Sequence, residues 1–282
     1  MPTPFVHTLD PVFLTLGPLQ IRWYGLMYVI GFTASYFLVR AQIRRRQYKE
    51  LETHFENLNL VLILAVILGG RLGDVLFYNP GYYLRHPLEI LATWEGGMSF
   101  HGACLLLIVS GWLFCRRYAI NFWKGADIYV ATIPIGLGLG RIGNFINGEL
   151  FGRPTDVPWG VIFADGGPMA RHPSQLYEAL LEGLLLFALL WAVKGRPWQQ
   201  RRGWPHGSIL ALFLIAYGVL RMVVEQFREP DPQIGFLFGL VTMGQSLSLI
   251  MVVGGLLLWL FRARQDKNGS GATVAAARRK RA

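Results

Sequence analysis

The chain reads as an all-α polytopic membrane protein with seven transmembrane helices, its N-terminus outside and its C-terminus cytoplasmic, and three observations predict this. Only 16% of its 282 residues are charged, 53% are hydrophobic, and mean hydropathy is +0.37, well away from a soluble composition. The apolar residues are gathered into blocks near the ~20 residues that cross a hydrocarbon core. The basic residues are gathered too. Segments 40–52, 115–125, 194–206 and 262–282 hold 19 of the 27 Lys and Arg, while 1–22, 79–96, 147–173 and 229–237 hold four. Basic loops stay cytoplasmic, and seven crossings satisfy that parity.

In chain order, residues 1–20 carry Asp10 and several prolines but no basic residue before Arg22. The charged leader of a cleavable signal peptide is missing, so this stretch is expected along the outer surface. The expected spans are Ile21–Val39, Leu58–Tyr78, Met98–Phe114, Ile128–Ile146, Leu176–Val193, Ser208–Gln226 and Leu240–Phe261. Together they make one membrane domain over 1–262. An external cap is expected over about 147–175, where Pro154, Pro158, Gly166, Gly167, Pro168 and Pro173 suggest an ordered loop with a hairpin around Asp165-Gly166-Gly167. Residues 263–282 are expected to be a basic, disordered cytoplasmic tail. Their charge suits anionic lipid rather than nucleic acid. No internal repeat and no pair of discontinuous helices is read.

The fourth span ends Gly140-Arg141-Ile142-Gly143-Asn144-Phe145-Ile146-Asn147-Gly148-Glu149. An ionisable residue in a bilayer is costly and marks a function by default. Arg141 offers five donors in a rigid fork, matched to a phosphate or carboxylate. Asn144 and Asn147 follow at spacings of three, on roughly the same helical face. The competing account is an arginine that snorkels to head groups with asparagines capping. Span six carries Tyr217, Arg221, Glu225 and Arg228, stacked on one face, with Pro230 ending the helix before Asp231. Arg221 needs an anionic partner; Glu225 could provide it as a purely structural pair.

His101 opens span three, and two readings stand: a hydrogen-bonded packing residue, or a proton acceptor near neutral pH. Tyr24 opens span one, where interfacial aromatics are common. Arg71 is expected to pair with Asp74 at i+3, with Gly69 and Gly73 forming a helix-packing face. Both arginine clusters are expected in the outer half of the membrane, sharing a cavity open to the outside. The block Arg171–Glu178 either lines that cavity or opens a helix capped by Ser174. Cys104 and Cys115 fall 11 residues apart on one span, roughly 16 Å along a helix, beyond disulfide reach. No metal-ligand spacing occurs.

Five ordered blocks resemble a known family: the Gly140–Glu149 run, Trp23-Tyr24-Gly25-Leu26-Met27-Tyr28, Gly97-Met98-Ser99-Phe100-His101-Gly102, Arg171-His172-Pro173-Ser174-Gln175-Leu176-Tyr177-Glu178, and Glu225-Gln226-Phe227-Arg228-Glu229-Pro230-Asp231. They resemble the bacterial prolipoprotein diacylglyceryl transferases over nearly the whole chain. Ala103 departs from the expected second glycine after His101-Gly102.

The resemblance implies transfer of the diacylglyceryl group of phosphatidylglycerol to the lipobox cysteine thiol of a prolipoprotein. Glycerol 1-phosphate would be released, in the first step of lipoprotein maturation. It implies residence in the bacterial inner membrane, with the site facing outward. Arg141 would bind the phosphate, Arg221 would stabilise the transition state, and His101 would act as base. Tyr24, Asn144, Asn147, Glu149 and Tyr217 would position the head group. Partners would be phosphatidylglycerol, lipobox signal peptides and membrane lipid, with no cofactor, metal or nucleic acid.

Other classes fit less well. An organic-anion transporter is expected to show broken helices in paired halves. A retinal receptor needs a lysine that Leu240–Phe261 lacks. A rhomboid-like protease needs a serine–histidine arrangement that Ser99 and His101 do not make.

Overall fold

The computed structural model describes residues 4–93, 96–199, 203–229, 236–237 and 241–279. The N-terminal stretch forms β1 (Phe5–Val6) and a hairpin of β2 (Val12–Leu16) and β3 (Leu19–Arg22), whose turn uses Gly17 at φ 59. Helices follow: α1 (Trp23–Arg45), α2 (Lys49–Thr53), α3 (Phe55–Gly73), α4 (Pro80–Arg85), α5 (Phe100–Arg117), α6 (Phe122–Val130) and α7 (Ile133–Asn147). After β4 (Val161–Ile162) come α8 (Ser174–Glu178), α9 (Leu186–Val193) and α10 (Ser208–Val224). Strands β5 (Phe236–Leu237) and β6 (Val241–Thr242) precede α11 (Met243–Arg279).

Five helical segments are long and apolar enough to cross a bilayer: Trp23–Arg45, Phe55–Tyr78, Phe100–Arg117, Ser174–Trp198 and Met243–Asp266. This is a multi-pass membrane protein. Ser208–Val224 is a shorter apolar helix. The expected fourth span is not one helix. It breaks between Val130 and Ile133, where Pro134 sits in the first turn of α7. Proline has no N–H to donate and its ring opposes a preceding helical turn, so the helix stops and restarts. The hydroxyl of Thr132 donates to the Tyr129 carbonyl at 2.8 Å, and Ser35 reaches the Thr132 carbonyl at 3.4 Å. Polar side chains thus meet backbone that the break frees.

Residues 263–279, expected to be disordered, continue α11. A helix already nucleated propagates at little cost, and Ala275-Ala276-Ala277 is a good helix former. Pro230, Asp231 and Leu240, read as the end of one span and the start of another, lie outside the described residues.

The chain groups into two compact units, Arg40–Gly125 and a larger one made of Met1–Val39 with Ala126–Ala282. In the smaller unit α3 and α5 cross through glycine. A Cβ on Gly69 would lie 2.6 Å from the Gly102 carbonyl, and one on Gly73 2.7 Å from the Gly102 Cα. The expected packing face is therefore present. The expected Arg71–Asp74 pair is not: Arg71, 5% exposed, turns to backbone. Its Nε donates to Ile90 O at 2.9 Å, Nη1 to Gly96 O at 2.7 Å and Gly97 O at 3.2 Å, and Nη2 to the carbonyls of Glu89 and Ala92. Asp74 accepts instead from Asn79 and from the Tyr83 hydroxyl at 3.1 Å. The loop beyond α4 supplies a better-fitting acceptor set than a carboxylate one turn away.

In the larger unit, α10 packs on α11 where a Cβ on Gly218 would lie 2.7 Å from the Ser248 carbonyl. Buried Asp127 accepts from the backbone N–H groups of Gly207, Ile209 and Leu210 at 2.7, 3.0 and 3.1 Å, capping α10 from α6. The cap segment is ordered. Phe5–Val6 pairs in parallel with Val161–Ile162, and Val161 bridges Arg171 across the expected turn, where Gly167 has φ 78. Arg171 holds the Gly166 carbonyl at 2.8 Å and the Glu229 carboxylate at 2.5 Å. Gly152 bridges Arg228, tying the cap to the exit of α10.

Candidate functional site

Helix α7 places Arg141, Asn144 and Asn147 along one side and ends at Gly148, whose φ of 71 lets the chain turn back. That turn returns Glu149 to the helix. Asn144 Nδ2 donates to Glu149 Oε1 at 2.8 Å and Asn147 Nδ2 at 3.0 Å. The turn is fixed from outside as well. Gln175 donates to the Glu149 carbonyl at 2.6 Å, and Ser174 donates to the Leu150 carbonyl at 3.1 Å. Ser174 therefore does not cap its own helix. His7 holds the Phe145 carbonyl at 2.7 Å, closing the end of α7. Tyr24 packs on Gly143, where a Cβ would lie 2.8 Å from the ring, and its hydroxyl lies 3.1 Å from that of Tyr28. It stands within electrostatic reach of Asn144 and Glu149.

Helix α7 meets the turn that follows α8 through two glycines. A Cβ on Gly183 would sit 2.6 Å from the Gly138 Cα, so neither position tolerates a side chain without movement. Gly183 belongs to a π-helical stretch, Ala179–Leu185, between α8 and α9. Such wide turns often accompany functional sites. The close approach presents Glu178, wholly buried, to α7.

Three arginines converge on that carboxylate. Arg141 Nε lies 2.5 Å and Arg221 Nη1 2.9 Å from Glu178 Oε2, and Arg228 Nη1 lies 2.9 Å from Oε1. Arg221 also meets Glu182 at 3.4 Å and Glu225 at 3.2 Å. Glu225 lies 3.8 Å from Arg228 and accepts from the Thr242 hydroxyl at 2.9 Å. A Cβ on Gly244 would lie 2.6 Å from that carboxylate, so the start of α11 must be bare there. Tyr217 stacks on Phe213 and faces Glu182, Arg221 and Arg141.

Among the three arginines, Arg141 is the most exposed at 23% of its side chain, against 14% for Arg221 and Arg228. Beyond its Nε contact with Glu178, its guanidinium has donors to spare. Among the described residues its single hydrogen bond is a long one, 3.5 Å from Nη1 to Asn144 Oδ1. The cluster thus offers fixed positive charge with unspent donors, counterbalanced by buried carboxylates. This arrangement suits an anion that arrives and leaves.

The structure therefore gathers Tyr24, Arg141, Asn144, Asn147, Glu149, Tyr217 and Arg221 into one region of the larger unit. His101 belongs to the other unit, in the first turn of α5, which Ser99 caps by accepting from Gly102 N–H at 3.1 Å. His101 is exposed, and its Nδ1 lies 3.3 Å from the Tyr78 hydroxyl. Sequence reading placed Arg228 on the span-six face and Glu178 in a block that could line the cavity, assigned neither a role, and passed over Glu182. The signal was present: two carboxylates four residues apart inside an apolar span are as costly there as an arginine. Among the described residues, no three His, Cys, Asp or Glu side chains cluster as metal ligands.

Comparison with known proteins accords with this geometry. The family model described as prolipoprotein diacylglyceryl transferase matches residues 11–261. A phosphatidylglycerol–prolipoprotein diacylglyceryl transferase of Desulfotalea psychrophila is 63% identical over 262 residues, covering 93% of this chain and 96% of that protein. Proteins of the same name from Bordetella avium and Geobacter sulfurreducens are each 52% identical. They cover 91% and 93% of this chain, and 96% and 98% of their own lengths.

Proposed function

This chain belongs to the prolipoprotein diacylglyceryl transferase family, and from that premise we propose that it attaches the diacylglyceryl group of phosphatidylglycerol to prolipoproteins, the first step of lipoprotein maturation. The acceptor is the thiol of the lipobox cysteine in the signal peptide. Its sulfur attacks the glycerol carbon that bears the phosphate, the C–O bond breaks, and glycerol 1-phosphate leaves with the bonding electrons. The thiol proton passes to a base.

The observation that carries this reading is the arginine cluster on Glu178, in which Arg141 keeps donors unspent. Arg141 binds the phosphodiester by its fork. Arg221 stabilises the charge that grows on the departing phosphate, where a fixed cation in a low-dielectric site counts most. Asn144, Asn147, Glu149, Tyr24 and Tyr217 orient the glycerol head group. His101 takes the proton, because a thiol with a pKa near 8.5 needs a base to react as thiolate at neutral pH.

The broken α6–α7 pair and α10 complete seven crossings with the five long spans, as the distribution of basic residues requires. The site then opens to the outer side of the bacterial inner membrane. A cysteine placed in the 154–170 loop is expected to react with an impermeant thiol reagent added outside, and one placed near Lys124 is not. The activity itself is tested by incubating purified protein with radiolabelled phosphatidylglycerol and a lipobox peptide. Labelled thioether is expected, and its absence sinks the reading.

A further inference from the structure

Glu178 is touched by all three cations of the cluster, yet no catalytic step requires it. Its carboxylate has two anionic oxygens, of which Oε2 meets Arg141 and Arg221 while Oε1 meets Arg228. A phosphodiester also presents two non-bridging anionic oxygens, and guanidinium groups bind both kinds of acceptor in the same way. We propose that Glu178 is a stand-in for the substrate phosphate: it holds the arginines aimed at one point in the empty site, yields Arg141 and Arg221 when the lipid arrives, and reclaims them to expel the product. The proposal rests on the reading of Arg141 and Arg221 as phosphate ligands.

Three observations carry it. First, Glu178 is wholly buried, and among the described residues the hydrogen bonds and ion pairs of its carboxylate are all with guanidinium groups. Three arginines with no anion between them would be strongly unfavourable in this setting. The carboxylate is therefore the condition on which an empty site can hold its arginines in place. Second, Arg141, Arg221 and Arg228 are matched by Glu178, Glu182 and Glu225. An incoming phosphodiester meets a counterbalanced cluster and has to displace an internal anion. Third, Arg141 combines the greatest exposure of the three with a single long hydrogen bond besides its ion pair to Glu178, so it can engage the phosphate before releasing Glu178. Competition with a carboxylate also makes the site selective, since an anion that offers weaker contacts than Glu178 does not bind.

Glu178→Gln keeps the shape of the side chain and removes its charge. Binding of dihexanoyl phosphatidylglycerol, measured by calorimetry in micelles, is expected to tighten about tenfold, as one opposing charge is gone. Turnover with a lipobox peptide is expected to fall about tenfold, because nothing then displaces the phosphate product. KM and kcat thus fall together, whereas a purely structural role would raise KM and lower thermal stability. Glu178→Asp, which keeps the charge, is expected to bind lipid as the unaltered protein does. Unchanged or weaker lipid binding by a folded Glu178→Gln protein overturns the proposal.

Should that variant not fold, difference infrared spectra of the unaltered protein decide. A shift of a buried carboxylate band on adding the lipid supports displacement, and an unshifted carboxylate region overturns it. Absence of thioether product from the unaltered protein would instead count against the activity. That outcome is separate from these binding measurements.

Discussion

Arg71 and Arg141 are both arginines among glycines in apolar helices, and the two regions treat them in opposite ways. Arg71 has five N–H groups and meets five backbone carbonyls, from Glu89, Ile90, Ala92, Gly96 and Gly97. Arg141 has one long hydrogen bond, to Asn144, and an ion pair to Glu178. Backbone carbonyls are fixed by the fold and cannot be exchanged for a ligand without unravelling it. Side-chain carboxylates can move. A buried arginine is thus a structural peg where its donors are saturated by main chain, and a binding group where its partners are side chains and donors remain.

The largest expected effect lies on the unsaturated side. Arg141→Ala is expected to lower transfer by at least about a thousandfold, on the scale of losing a principal electrostatic stabiliser, with the protein still inserted and folded. Arg141→Lys is expected to recover little, because a point charge does not reproduce the fork. Turnover of Arg141→Ala within tenfold of normal would place the phosphate elsewhere.

The second effect concerns Arg221. Sequence spacing offers Glu225 as its one obvious partner, so neutralising both could have restored balance. The structure adds Glu178 at 2.9 Å and Glu182 at 3.4 Å. The double change Arg221→Gln with Glu225→Gln therefore takes from Glu182 its arginine contact, while Glu178 keeps Arg141 and Arg228, and the cation proposed to meet the departing phosphate is still missing. The double variant is expected to be as inactive as Arg221→Gln alone, in steady-state transfer assays. Recovery of activity in the double variant would mean that Arg221 only neutralises Glu225.

The contrast between the two arginines was only half legible in the sequence. The Arg141–Asn144–Asn147 face could be read, because three-residue spacing on a helix is local geometry. The Gly69–Gly73 face could be read for the same reason. The partner of Arg71 was misassigned, though not its structural role, because its true acceptors are 18 to 26 residues away, in and after the short 3-10 turn Pro87–Leu91. The local rule of i to i+3 pairing lost to tertiary contacts. Glu178 as the arginines' shared partner, and Glu182 altogether, were overlooked because an apolar span tolerates two acids without losing its hydrophobic average. The break before α7 was missed although Pro134 marked it, since apolar content alone does not distinguish one helix from two.

Arg71→Lys tests the saturated side. Lysine has three donors on one nitrogen, so several carbonyls of the 89–97 loop lose their partner, at a cost of roughly 2–5 kcal/mol in total. A lower midpoint of thermal unfolding in detergent is expected, while the affinity for phosphatidylglycerol stays as in the unaltered protein. Weaker lipid binding with unchanged stability would erase the distinction between the two arginines.

The smallest effect belongs to a polar group saturated neither by main chain nor by opposite charge. His172, in the cap segment before α8, has its pKa pushed below the ordinary value by burial. Its Nδ1 lies 3.1 Å from the Tyr177 hydroxyl, which accepts from Trp159 Nε1 at 2.7 Å. Trp159 can only donate, so the Tyr177 proton is free to point at His172, which accepts it when Nδ1 carries a lone pair. The folded cap therefore favours neutral imidazole. As pH falls through about 6.5, the unfolded chain binds the proton first, and stability declines until the folded group protonates as well. A modest fall in unfolding midpoint is expected between neutral and mildly acid pH, and His172→Gln is expected to flatten the part that this group contributes. An identical pH profile in the two proteins would show that burial in the cap leaves His172 as easy to charge as it is in the unfolded chain.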